Sequence, residues 1–486
     1  MSITIYRAAA IPPSLPEARY QLPKDFPFLV DDDELTVIEP ALLYLANRFL
    51  KRKKFKRINT AKAVAYDLQE WWRFLAKEAV DRQGDGLATC QQSPVLKAKH
   101  PTKNCLDWTS VDLERLKRYR DTQLVTVSLQ THQCLSPKTV GRRLSSVLAL
   151  YRWAAQNGLL ERDRTANGLT DSSRMREYDF LRSAAYGESE SKEIKELLES
   201  DDLEDEERVC PLDPSDWRLL EAELGPLPSE AEENNDSRPV RDRLAAESSL
   251  QTGLRVAEVA QLTIYQILDL RPPVDSLPQT MIPLKVTRTK GLRARTVQIP
   301  IYLVDELKAY IDGERAECLR IASNYWLKPG KRPPATLFLN GVSARNHAGH
   351  PVSAATLSRR FHEAVLRAGL IRTTEKIDPS NGDEYATHIA AHCFHDLRHT
   401  FAVWTYNAEK YAGNPEPWKI LQTLLGHRHM QTTINIYLRV VSLERKAINA
   451  AVFFAMRRRY DGHQKGTPSV HVPQELVTSE NPKPRD

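Results

Sequence analysis

Three residues in the stretch FHDLRHTF, Phe394–Phe401, have types and spacing suited to shared chemistry: His395, Arg398 and His399. At helical pitch, positions i, i+3 and i+4 are neighbours on one face, so two imidazoles and a guanidinium would collect there. Such a set could bind a metal, cradle a phosphate or cap a basic surface. In TGLRVAEVAQL, Arg255 follows Thr252–Gly253 near the start of a predicted helix. Backbone N–H groups there favour anions, and a guanidinium fork grips two phosphate oxygens. Glu258, one turn on, is spaced to hold Arg255. Lys290 in RTKGLRAR sits beside Gly291 in a predicted hairpin turn, from which a lysine can hand a proton to a substrate oxygen. Arg288, Arg293 and Arg295 crowd the same hairpin and read as contacts to a DNA backbone. In LLGHRHMQTTINIYLRV, Gly426 reads as a helix stop that presents His427 from a turn, and Tyr437 follows Thr432–Thr433, a helix-start signal.

The chain that must position these groups has 486 residues, too many for one ordinary core, so two domains with linkers are expected. A hydrophobic share of 41% and a charged share of 27% describe a soluble globular protein. The sequence has no apolar run long enough to span a bilayer and no signal-peptide pattern, which points to the cytoplasm. Six cysteines are scattered without a CxxC pair, which argues against a disulfide framework and a cysteine zinc site. The net charge of +6 permits a nucleic-acid partner. Its distribution says more: KRKKFKR at Lys51–Arg57 is strongly basic, and Glu188–Glu207 is strongly acidic.

Residues 1–35 are Pro-rich and weakly patterned and read as an N-terminal extension, an extended arm. Residues 36–160 carry helical periodicity. NTAKAVAYDLQEWWRFL puts Val64, Leu68, Trp72 and Leu75 on one face, SVDLERLKRYRDTQL reads as a second helix, and a third opens at Ser136–Pro137 and stops at Asn157–Gly158. Residues 161–210 are a charged, acidic linker or insertion, read as solvated, with shielding of a basic surface as the sharper alternative. Residues 211–460 turn to α+β. Helices are predicted at about 214–224, 239–250, 303–322 and 353–369, with TMIPLKVTRT and ARTVQIP forming a hairpin. Residues 461–486 read as a polar, disordered tail.

Taken as an ordered set, TGLRVAEVAQL, TKGLRAR, HDLRHTFA and LLGHRHMQTTINIY resemble the tyrosine recombinase family, the phage-type integrases and related transposon recombinases of mobile elements. The resemblance covers most of residues 40–457. It implies a mainly α fold with a small β component: a helical, SAM-like core DNA-binding domain followed by an α+β catalytic domain. It implies site-specific cleavage and rejoining of DNA through a 3′-phosphotyrosyl intermediate and a Holliday junction, with no metal, ATP or other cofactor. Tyr437 would be the nucleophile and Arg255 and Arg398 the phosphate clamp. Lys290 would protonate the leaving oxygen, His395 would assist proton transfer, and His427 would donate to the phosphate. Glu258 and His399 would support the site. Lys51, Arg52, Lys53, Lys54, Lys56, Arg57, Lys138, Arg142 and Arg143 would join the hairpin arginines as DNA-backbone contacts. The partners implied are double-stranded recombination sites and a homo-tetramer on synapsed DNA, with accessory recombinases or DNA-bending proteins, in a prokaryotic nucleoid. Departures from the family pattern are Leu438–Arg439 after the tyrosine, a long His427–Tyr437 spacing and the long acidic linker.

Three rivals share parts of this pattern. His388, His392, His395 and His399 repeat at 4, 3 and 4, one helix face able to hold zinc, but no HExxH accompanies them and Arg398 would repel a cation. A DNA-binding regulator without catalysis would not need the full residue set. A type IB topoisomerase shares the tyrosine chemistry but not this layout of linked boxes.

Overall fold

The computed structural model describes residues 2–9, 22–50, 58–84, 108–109, 111–160, 210–287, 294–322, 326 and 331–426. They are mainly helical with a small β component. Two units divide the chain, Met1–Asp205 with Glu375–Tyr385, and Glu206–Thr374 with Ala386–Asp486.

In the first unit, β1 (Ile3–Arg7), β2 (Pro27–Asp31) and β3 (Thr36–Val37) form an antiparallel sheet in the order β1-β2-β3. This differs from the extended arm expected for residues 1–35. Ile3, Phe26 and Leu29 are buried beneath the sheet, and Gln69 donates to Ile3 O at 2.7 Å. Helices α1 (Glu39–Leu50), α2 (Ile58–Gly84), α3 (Leu113–Leu124) and α4 (Pro137–Gln156) follow. The predicted stripe on α2 is buried at Val64, Leu68, Trp72 and Leu75. Trp71 lies edge-on to Tyr119 and Tyr151, at 5.0 and 5.9 Å, and its indole donates to Tyr151 Oη at 3.1 Å. Helix α3 starts where Asp112 accepts from the Arg115 N–H. Helix α4 starts where Ser136 accepts from the Thr139 N–H, with Pro137 in the first turn.

The second unit is built around α7 (Arg241–Thr252), which is buried on all sides. Around it lie α5 (Pro214–Leu224), α6 (Pro228–Asn234), α8 (Val256–Val259), α9 (Ile264–Leu268), α10 (Ile301–Asp312), α11 (Glu314–Ile321) and α12 (Ala354–Arg367). The charges on α7 are compensated: Arg243 pairs with Glu247 at 2.9 Å and Glu221 at 2.7 Å and stacks on Trp217. The predicted hairpin forms from β4 (Met281–Val286) and β5 (Arg295–Pro300), antiparallel from Met281↔Pro300 to Val286↔Arg295, with Ile282, Leu284, Val297 and Ile299 turned into the core.

A two-stranded sheet of β6 (Ile371–Ile377) and β7 (Glu384–Ala390) was not expected from the sequence. Its strands are mostly exposed, so they carry little of the apolar alternation that marks a strand. Helix α13 (Phe394–Tyr411) follows, then α14 (Pro417–Leu425).

Candidate active site

Helix α13 carries the FHDLRHTF stretch. It begins where the Cys393 N–H donates to Asp396 Oδ2 at 2.8 Å, a capping carboxylate three positions into the turn. Burial pushes the Asp396 carboxyl up, against the lowering effect of the Cys393 contacts. Phe394 packs edge-on against Phe361 of α12 at 5.4 Å, and Thr400 accepts from the Leu212 N–H at 2.8 Å. The helix start is therefore held on three sides.

On this frame His395 is exposed and His399 half-buried, with ring centroids 4.7 Å apart at 85°. Arg398 turns inward and is 2% exposed. Its guanidinium donates to Gly253 O and, at 2.7 Å, to Leu425 O. These carbonyls lie where α7 and α14 end, so the cation sits at the negative ends of two helices. Both helices stop at a left-handed glycine, Gly253 at φ 68° and Gly426 at φ 66°. Arg398 is thus a rivet between the turn that leads into Arg255 and the turn that leads into His427.

Arg255 is the residue before α8, and its side chain is 28% exposed. Its backbone N–H donates to Glu258 Oε2 at 2.9 Å, and its Nη1 stands 3.4 Å from Glu258 Oε1. Glu258, 3% exposed, is bound far more closely by Arg295, whose Nη1 and Nη2 reach Oε1 and Oε2 at 2.7 Å each. Burial alone would raise the Glu258 carboxyl. The Arg295 hydrogen bonds, the Arg255 N–H and the two guanidinium charges outweigh it and hold the group below the usual carboxylate range.

Several expectations change. Arg295 does not present itself to DNA: its side chain is 10% exposed and bound to Glu258 and, through Nε at 3.2 Å, to Leu424 O. Arg142 is committed to Asp67, a carboxylate 1% exposed that also accepts from Ser146. Arg143, largely buried, donates to Gln123 and faces Glu70. Arg143 thus compensates buried polar groups of the helical unit, whereas the Arg142 side chain, although paired with Asp67, remains half exposed. The four-histidine helix face does not form either, because α13 begins only at Phe394. His388 lies in β7 beside Thr373, and His392 sits before the helix, 3.5 Å from Asp216. Among the described residues no group of three His, Cys, Asp or Glu side chains could hold a metal ion. Lys290, Arg288, Arg293, His427, Tyr437, the cluster Lys51, Arg52, Lys53, Lys54, Lys56 and Arg57, and most of the 161–210 stretch lie outside the described residues. The contacts of Arg295 differ from those expected of an exposed hairpin arginine, and Asp396 was not among the residues singled out. The C-x-x-D spacing into an apolar helix was the signal available for the latter.

Arg398, anchored on two helix ends, fixes the turn that presents the partly exposed Arg255 guanidinium, a group whose fork suits two oxygens of an anion. Residues 218–443 match the model of the phage integrase family. A tyrosine recombinase XerC of Listeria monocytogenes serotype 4b is 28% identical over 201 residues, covering 41% of this chain and 50% of the relative. A tyrosine recombinase of Thermosipho africanus is 28% identical over 211 residues, 43% of this chain and 54% of the relative. The chain spans about half the length of these curated relatives. A crystal structure of a lambda integrase dimer bound to a COC′ core site is similar with a TM-score of 0.42 at 13% identity, over 82% of this chain and 94% of that one. Over residues 218–443 the chain is similar to the phage integrase family, and the curated relatives it matches there are tyrosine recombinases.

Proposed function

We propose that this protein is a site-specific DNA recombinase that cleaves and rejoins strands through a tyrosine. The observation that carries the reading is Arg398, buried and held on Gly253 O and Leu425 O, two residues of chain from Arg255. This links three of the four sequence boxes that resemble the family. In the proposed reaction the Tyr437 phenol oxygen attacks a DNA phosphorus and the P–O5′ bond breaks. The 3′-phosphate remains on the tyrosine, and Lys290 supplies the proton that the departing 5′-oxygen takes. Attack by the 5′-hydroxyl of a partner strand reverses the sequence and frees the tyrosine, passing through a Holliday junction. One phosphodiester replaces another, so no nucleotide hydrolysis is needed.

Arg255 and Arg398 would neutralise the non-bridging oxygens as charge builds on the five-coordinate phosphorus. His395 would shuttle a proton or orient the phosphate, His427 would donate to it, and His399, stacked edge-on to His395, would fix that ring. Double-stranded recombination sites and a tetramer on synapsed DNA are the proposed partners; the relatives' names and the titles of the similar structures, which include a lambda integrase tetramer bound to a Holliday junction, are consistent with this. Lys138 and the Lys51–Arg57 cluster are the proposed backbone contacts that set affinity and its salt dependence.

The test uses a pool of duplexes with randomised centres, each nicked so that the released 5′ fragment diffuses away. The full-length protein should become trapped on DNA as a denaturant-resistant complex, and Tyr437→Phe should not. Trapping by both proteins would reject the nucleophile, and trapping by neither would reject the recombinase.

A further inference from the structure

The hairpin arginine that sequence reasoning assigned to DNA binds three parts of the site together. Arg295 is the first residue of β5, opposite Val286, and so closes the connection that contains Lys290. From there its guanidinium forks onto both oxygens of Glu258, at 2.7 Å each, and its Nε donates to Leu424 O in the last turn of α14. The fit against the next turn is close: a Cβ on Gly426 would lie 2.7 Å from Arg295 Cδ. One side chain therefore ties the Lys290 connection to the Arg255 turn and to the helix end that leads into His427.

We propose that Arg295 is a positioning residue that saturates Glu258 so that Arg255 stays available for a phosphate, and that registers the hairpin and the α14 terminus around it. The physical case rests on competition. A carboxylate as buried as Glu258 must be neutralised by whatever cation it can reach. Two guanidiniums are within reach, and the distances show the division: Arg295 makes a two-pronged pair at 2.7 Å, while Arg255 Nη1 makes a single, longer contact at 3.4 Å. Remove Arg295, and Arg255 becomes the nearest compensating charge and collapses onto Glu258. A lysine at 295 would keep the charge but cannot span both oxygens and the Leu424 carbonyl at once. The catalytic consequence rests on the recombinase reading; the competition for Glu258 does not.

The experiment compares wild type, Arg295→Ala, Arg295→Lys and the double variant Arg295→Ala/Glu258→Gln, all as full-length chains. Three readouts are taken: trapping on the nicked randomised pool, salt-dependent binding to an unnicked 40-bp duplex as probe, and the melting temperature. Arg295→Ala should trap DNA on the order of 100-fold more slowly, as expected when a reacting group is misplaced by about an ångström. Its duplex salt slope should fall by no more than about 1, the phosphate contact that Arg255 gives up, and should recover in the double variant. Arg295→Lys should fall between the two. The double variant should regain part of the trapping rate and of the melting temperature lost in Arg295→Ala, because the uncompensated carboxylate is gone. If Arg295→Ala instead shows a salt slope smaller by about 1, with no gain in the double variant, Arg295 is a backbone contact and the proposal is overturned. Trapping by Arg295→Ala at the wild-type rate would overturn it as well. If wild type itself never traps DNA, the recombinase reading fails, and the proposal is then decided by the melting temperatures: recovery in the double variant supports the competition for Glu258, and its absence rejects it.

Discussion

Gly253 has no room for a side chain. Its φ of 68° disfavours any residue with a Cβ, and that Cβ would stand 2.5 Å from the Phe401 ring, directly over the Arg398 anchor. Gly253→Ala should lower stability by about 2–4 kcal/mol from backbone strain and overpacking together, measured by urea unfolding. A Phe401→Leu change in that background should recover part of the loss, and no recovery would place the cost in the backbone alone. Glu258 gives a pH signature at the same scale. Its folded carboxyl is held below the ordinary value of 4.5, so ionised Glu258 contributes its full stabilisation above that value. The contribution is lost as pH falls through the depressed folded value. The stability difference between wild type and Glu258→Gln should therefore shrink as the solution is acidified below about pH 4.5, and a difference independent of pH would contradict the assigned environment.

At the scale of elements, α13 decides where the histidines point. Asp396 ties its first turn to the Cys393 N–H, while Phe394 and Thr400 hold the same end against α12 and Leu212. Asp396→Ala should cost about 1 kcal/mol through the lost cap and should slow DNA trapping more than it weakens duplex binding, because His395 is the adjacent residue. Equal losses in both would argue that the helix start has no bearing on the chemistry. The helix itself was legible from the spacing of His395, Arg398 and His399, but its beginning was not. His392 and His388 continue the same 3–4 spacing upstream, yet they lie in a loop and in β7. Periodicity extends through a cap without interruption, whereas the capping carboxylate ends the helix.

At the scale of the molecule the described residues form two large cores, one around Trp71 of α2 and one around α7 and the β4–β5 hairpin, with a smaller one between α13 and α14. No buried residue is shared between these two clusters. Trp71 is fully buried among Tyr119, Tyr151 and Phe74. Trp71→Ala should cost the first core about 3–5 kcal/mol, lowering one calorimetric transition and leaving the other in place. A common shift of both would mean that the units unfold together. The buried charges belong to these cores too. Arg143 and Arg243 each compensate an interior polar or acidic group, so the count of basic residues overstates the positive surface open to a partner.

The class of fold and the order of the boxes were legible in local signals along the chain. Helical spacing, glycine stops and proline or serine starts are local signals, and they survive without knowledge of the partner elements. Tertiary structure alone decided which cation does what. Arg398 and Arg295 are as basic as any surface arginine in the sequence. One becomes a rivet on two helix ends and the other the counter-charge of Glu258. The reason is that a guanidinium's role depends on which acceptors reach it, and here those acceptors, Gly253 O, Leu425 O and Glu258, lie 27 to 145 positions away along the chain.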